Sequence, residues 1–151
     1  MAIRNIIQVG DETLRKKCFE VTSFDEKLGM LLDDMKDTVK KANGAGLAAP
    51  QVGILRRVFV VDVEEGFFEF VNPVIVSVSG EQTGKEGCLS VKGKWGEVTR
   101  PKKVVIRARD RFGKKFTLTA KDFFARAVCH EYDHLDGILY TDKATSIETE
   151  A

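Results

Sequence analysis

Apolar residues recur at helical spacing from Ser23 to Ala42: Phe24, Leu28, Leu31, Leu32, Met35, Val39 and Ala42 return every three or four positions. That period lines them along one face of an amphipathic helix. Ser23 and Glu26 have the spacing of a capping box, which satisfies free backbone donors at a helix start. Lys40 and Lys41 suit the negative end of the helix dipole, and Asn43-Gly44 supplies a stop. The middle of the chain changes period. "RRVFVVDV" and "FFEFVNPVIVSVSG" are rich in Val and Phe and predict strands. "KKVVIRARDRFGKKFTLTA" predicts a hairpin that turns at Asp110 to Gly113. A second helix is expected from about Ala120 to Asp136, with Thr119 as N-cap and Gly137 as C-terminal stop. Helix, several strands, helix is the order of an α+β fold: mostly antiparallel β-sheets around a C-terminal helix, with an N-terminal amphipathic helix.

The 151 residues suit one domain spanning 1–151, with a tail expected to fray from about 144. Lysines and arginines number 24 against 23 acids, a net charge of +1, so the whole chain has no footprint for nucleic acid or an anionic membrane. The start of the chain reads as neither signal peptide nor membrane span, and a bacterial cytoplasm is expected. Three cysteines, Cys18, Cys88 and Cys129, fit reduced thiols rather than a disulfide framework.

The only two histidines, His130 and His134, stand four residues apart around Glu131 in "AVCHEYDHLDG". On a helix they lie about 40° apart, with Glu131 about 60° beyond His134. Phe123, Ala127, His130, His134 and, further on, Ile138 fall on one stripe that should face the core. Two imidazoles and a carboxylate there are costly unless something satisfies them. A divalent metal does so, bound by two ring nitrogens with the carboxylate beside its open position. A pair of hydrogen-bonded core histidines is the plainer alternative. Cys129 lies about 140° from His134 and reads as a buried thiol. A catalytic site needs a third ligand, and Cys88 in "KEGCLSV" is a candidate. "NGAGLAAPQVG", Asn43 to Gly53, lacks the Gly-Lys-Ser/Thr ending of a phosphate-binding loop.

Taken together, three stretches resemble the peptide deformylases: Gly44-Ala45-Gly46-Leu47-Ala48-Ala49-Pro50-Gln51, Glu86-Gly87-Cys88-Leu89-Ser90 and His130-Glu131-Tyr132-Asp133-His134. The resemblance covers nearly the whole chain. It implies that Cys88, His130 and His134 bind one divalent metal, ferrous iron in the cell, with zinc or nickel able to take its place. It implies Glu131 as general acid/base, and Gln51 with the Leu89 backbone N–H as donors to the formyl oxygen. Gly46 would bind the substrate backbone, with Gly44, Ala45, Gly87 and Trp95 around it. The implied reaction removes the formyl group from the N-terminal formylmethionine of nascent polypeptides. The implied partners are those peptides, with transient ribosome contact, no specific nucleic-acid sequence and no membrane. Lys92 stands where many members have a proline, and the C-terminal part is shorter than in many bacterial members.

Three other features have separate readings. Arg100 is expected to pair with Asp133 and brace the metal helix. The basic run "RPKKVVIRARDR" reads as the solvated face of a hairpin, with contact to ribosomal RNA as the alternative. Phe67, Phe68 and Phe70 are expected in the core and the cleft wall. A metalloprotease would share H-E-x-x-H, but a Cys ligand upstream departs from the usual zincin pattern. A non-catalytic metal-binding module would close its metal with four protein ligands.

Overall fold

Two antiparallel sheets, two principal helices and one short C-terminal helix make up the computed structural model, which describes residues 2–149. Helix α1 spans Glu26–Lys41. Its N-cap is Asp25, whose carboxylate accepts from the Leu28 N–H at 3.2 Å, so the expected capping box at Ser23 does not form. An aspartate three residues before a free backbone N–H is a strong acceptor, and it starts the helix later than Ser23 would. At the other end Asn43 takes the left-handed conformation, φ 56°, and the Gly44 N–H closes on the Val39 carbonyl at 3.0 Å.

The larger sheet has the order β1–β2–β3–β6–β7, formed by Gly46–Ala48, Val58–Val63, Gly66–Ser79, Lys103–Arg109 and Lys115–Lys121. In β2 the run Val58 to Val61 is buried on both faces. Side chains alternate along a strand. Val58 and Val60 accordingly pack with Leu28, Leu31, Leu32, Met35 and Val39 of α1, while Phe59 and Val61 pack with α2, Phe123–His134. Full burial of each large apolar side chain is worth roughly 1.5–3 kcal/mol, so both helices are fixed to the sheet by their apolar contacts. The predicted hairpin is β6–β7, in continuous register from Lys103↔Lys121 to Arg109↔Lys115. Asp110 Oδ1 accepts from the Phe112 and Lys114 N–H groups to shape its turn.

Helix α2 departs from expectation at its start. Ala120 and Lys121 remain in β7, and Asp122, at φ 57°, makes the corner, so Thr119 caps nothing. The hydrophobic stripe is also wider than one face. Phe124 to Glu131, Asp133 and His134 are all buried, whereas Phe123, expected in the core, is 57% exposed. Gly137, at φ 75°, ends the following turn; a Cβ there would stand 2.3 Å from the Arg15 carbonyl oxygen.

The smaller sheet, β4–β5–β8, holds Gln82–Cys88, Val91–Arg100 and Ser146–Thr149. The segment expected to fray from about 144 instead reaches β8 through the short helix α3, Tyr140–Lys143, and β8 pairs antiparallel with β5 from Lys94↔Thr149 to Glu97↔Ser146. Backbone hydrogen bonds to β5 hold it there, although its side chains are exposed. Residues 150 and 151 of that expected tail lie outside the described residues. Phe67, Phe68 and Phe70 all pack into the two cores and none lines the cleft described below.

Candidate metal centre

The two sheets meet at α2, and there the three sequence stretches converge. A tight turn at Leu89–Ser90 joins β4 to β5 and sets Cys88 at the strand end. Cys88 Sγ and ring nitrogens of His130 and His134 all lie within 4.8 Å of one another. The Sγ is 3.4 Å from His134 Nε2, and His134 is only 1% exposed. A thiolate and two imidazoles at this separation are a donor set that fits one tetrahedral divalent ion with a position left over. Cys129 is buried and takes no part in the cluster.

Glu131 stands beside the trio, its Oε2 4.0 Å from His130 Nε2. Burial pushes its carboxyl up to about 7, with Glu86 and Asp133 reinforcing the rise against His130 and Arg100. Among the described residues its Oε1 and His134 Nδ1 are buried without a hydrogen-bond partner. Gly46 of β1 leaves room for this carboxylate: a Cβ there would meet Glu131 Oε2 at 2.6 Å. Gln51 follows in a 3-10 turn, Ala49–Val52. Its Oε1 accepts from the Ala48 N–H at 2.9 Å, and its Nε2 donates to Ser90 Oγ at 3.0 Å and lies 3.6 Å from Cys88 Sγ. The amide is thereby aimed at the cluster.

A network that sequence reading only half identified holds His130. Its Nδ1 is 2.9 Å from Glu86 Oε1. Arg100 grips both Glu86 oxygens at 2.9 Å, Arg126 Nη1 donates to Oε2 at 2.6 Å, and Arg100 Nη1 reaches Asp133 Oδ2 at 2.7 Å. The expected Arg100–Asp133 brace is therefore a buried pair inside a larger cluster, extended to the surface by Lys143 at 3.0 Å from Asp133. Burial alone would raise the Glu86 carboxyl, but hydrogen bonds from His130 and Arg100 hold it well below the usual carboxylate range. Burial works against protonated His130, yet Glu131, Cys88 and Glu86 outweigh it and raise its pKa, whereas burial depresses that of His134. Sequence reading passed over Arg126, although it stands one helical turn before His130, and Glu86 stood in a quoted motif without a role of its own. Tyr140, whose ring stacks on His130 with centroids 6.0 Å apart, gave no signal because it follows the helix.

A cleft of about 460 Å³ opens over the centre. Gly44, Ala45, Gly46, Gln51, Gly87, Cys88, Leu89, Trp95, His130 and Glu131 all line it, and His134 lies deeper. Phe123, exposed rather than in the core, is on its wall. The family model for polypeptide deformylases matches residues 3–150.

The chain belongs to the peptide deformylase family.

A peptide deformylase of Caldicellulosiruptor bescii is 57% identical over 150 residues, 99% of this chain and 90% of that protein. One of Acetivibrio thermocellus is 55% identical over 95% of this chain and 84% of its own length. Among solved structures, a peptide deformylase from Legionella pneumophila superposes with a TM-score of 0.91 at 44% identity, covering 95% of this chain and 86% of that one. The peptide deformylase of Thermotoga maritima gives 0.93 at 36% identity, over 95% and 99%. Family membership makes the chain a metal-dependent hydrolase that removes N-formyl groups from nascent peptides, and it confirms the expected α+β architecture. No helix among the described residues is long and apolar enough to cross a membrane.

Proposed function

We propose that Cys88, His130 and His134 hold one divalent ion, ferrous iron in the cell, and that Glu131 performs the proton transfers of formylmethionine hydrolysis. The observation that carries this reading is the convergence of Cys88 Sγ and the two imidazoles beside the buried Glu131 carboxylate, whose pKa burial raises. The ion, when bound, supplies Lewis acidity and a water activated near neutral pH. Glu131 takes a proton from the attacking water and delivers it to the leaving nitrogen, a task suited to a group that titrates near the working pH. Gln51 Nε2 and the Leu89 N–H donate to the formyl oxygen as it gains charge, each worth about 3 kcal/mol in the transition state. Gly44, Ala45, Gly46 and Gly87 offer peptide backbone to the substrate, and the Trp95 ring covers it. Formate and a free N-terminus leave.

The place of action is a bacterial cytoplasm, with transient ribosome contact as nascent chains emerge. The test is formate release from formyl-Met-Ala-Ser under anaerobic conditions, with metal measured on the same sample. Rapid release that stops on chelation, decays in air and leaves internal peptide bonds intact is expected, since both Fe(II) and thiolate oxidise. No formate from fully metallated protein would overturn the reading.

A further inference from the structure

We propose that the outer face of β6 and β7, with the cleft beside it, binds the sugar-phosphate backbone of structured RNA. Along β6, Lys103, Arg107 and Arg109 share one face by strand alternation, and the register places Lys121 opposite Lys103 and Lys115 opposite Arg109. The other face of β6 and β7 is the buried one, carrying Val104, Ile106, Ala108 and Ala120. The five cations therefore point away from the core, along about 20 Å of hairpin. Neither strand contains an acid, nor does the adjoining half of β3, "VIVSVS". In a chain with 24 cations and 23 acids, five against none across three neighbouring strands is a strong local asymmetry.

Two of the cross-strand pairs, Lys103↔Lys121 and Arg109↔Lys115, set like charges directly opposite each other. Such pairs destabilise a sheet unless something neutralises them. Among the described residues, Lys103, Arg107, Lys115 and Lys121 make no ion pair, in contrast to Arg111 one turn away, which grips Asp33 and Glu69. The charge is concentrated at one end, where Arg57, Arg107, Arg109, Lys115 and Tyr132 line a separate cleft of about 380 Å³ with Glu20 as its one acid. Arg57 is partly committed, at 2.9 Å from Asp136.

Guanidinium forks match phosphate oxygens, and a recessed cleft admits a protruding phosphate where a flat bilayer cannot follow. The length of the stripe suits a polyanion better than a single acidic side chain. The two clefts share no lining residue, so RNA bound here leaves the metal centre open. The choice of RNA over other polyanions rests on the family's work on nascent peptides, which are made by a ribonucleoprotein.

The test is fluorescence anisotropy of a labelled RNA hairpin with the metallated enzyme at 50 and 200 mM salt. Micromolar binding at the lower salt, weakened roughly 150-fold at the higher, is expected if about four phosphates are neutralised. Arg107→Glu with Lys115→Glu should weaken binding at least about tenfold, and the milder Arg107→Gln with Lys115→Gln should cut the salt slope by about 1.8. Lys36→Glu with Lys41→Glu, the same charge change on α1, should have little effect. Formate release from the short peptide should be unchanged in all these variants, which separates this claim from the reading of the metal centre. Equal loss from the α1 variant, no binding at 50 mM salt, or binding to phosphatidylserine vesicles in preference to RNA would overturn the proposal.

Discussion

The two faces of the larger sheet are covered by helices of opposite character. Helix α1 buries Leu28, Leu31, Leu32, Met35 and Val39 against Val58, Val60 and Val71, an almost wholly hydrocarbon contact. Helix α2 covers the other face and buries Arg126, His130, Glu131, Asp133 and His134 along with its apolar residues. Hydrocarbon burial is non-directional and needs no partner, so α1 is held to the sheet chiefly by area, while its buried Asp34 and Thr38 bond to Arg4 of the N-terminal segment. Each buried charge on α2 needs a specific partner: Glu86 and Arg100 supply them for Arg126, His130 and Asp133, while among the described residues Glu131 Oε1 and His134 Nδ1 stay unpaired beside the metal donors. Both faces contribute stability, but only the α2 face also carries a buried polar cluster, and substitutions should separate the two kinds of contact.

The largest effect should come from the donor set. Cys88→Ala should lose its metal on dialysis and lower formate release by about 1,000-fold or more, while its circular dichroism stays native. Retention of a full equivalent of metal would remove Cys88 from the ligands. Glu86→Ala should be the most damaging change to stability on the α2 side. It strands Arg100 and Arg126 without their carboxylate and frees His130 Nδ1, and urea unfolding should register a loss of about 3–5 kcal/mol. The same group sets the acid limit of the wild type. Because the folded state holds the Glu86 carboxyl below its ordinary 4.5, its contribution is present above that pH and is lost as pH falls below it. Glu86→Ala should therefore flatten the acid limb of the stability curve, and an unchanged limb would assign acid unfolding to other groups.

On the hydrocarbon side, Leu32→Ala should cost about 3 kcal/mol through lost transfer energy and a cavity, with kcat of the folded enzyme within about twofold of wild type. A large fall in kcat would mean that the two faces are coupled. The smallest effect should be Asp25→Ala, about 1 kcal/mol by thermal unfolding, against no change for Ser23→Ala. A loss from the Ser23 variant instead would restore the capping box.

This contrast also explains what could be read from the sequence. Helix α1 was legible because a single apolar face leaves a period, and the β6–β7 hairpin because Asp110 and Gly113 mark its turn. Helix α2 was less so, since burial on nearly all sides erases the period that locates its start and misplaced Phe123. The centre was legible wherever its chemistry was local: His130, Glu131 and His134 share one helix. Cys88 stood only as a candidate third ligand until the resemblance assigned it, and Gln51 was placed beside the helix by resemblance alone, because no spacing within one segment reports a contact between β4, a 3-10 turn and α2. The roles of Arg126 and Tyr140 arise wholly from tertiary packing. Strand β8 was missed because a short polar segment has no alternation to show, and only its backbone pairing with β5 orders it.

Glu131→Gln tests the central claim most directly, with metal content and formate release measured on one sample. The account predicts one equivalent of metal retained and turnover reduced by about 1,000-fold, the loss of a general acid/base from an otherwise intact centre. Turnover near that of the wild type would contradict it.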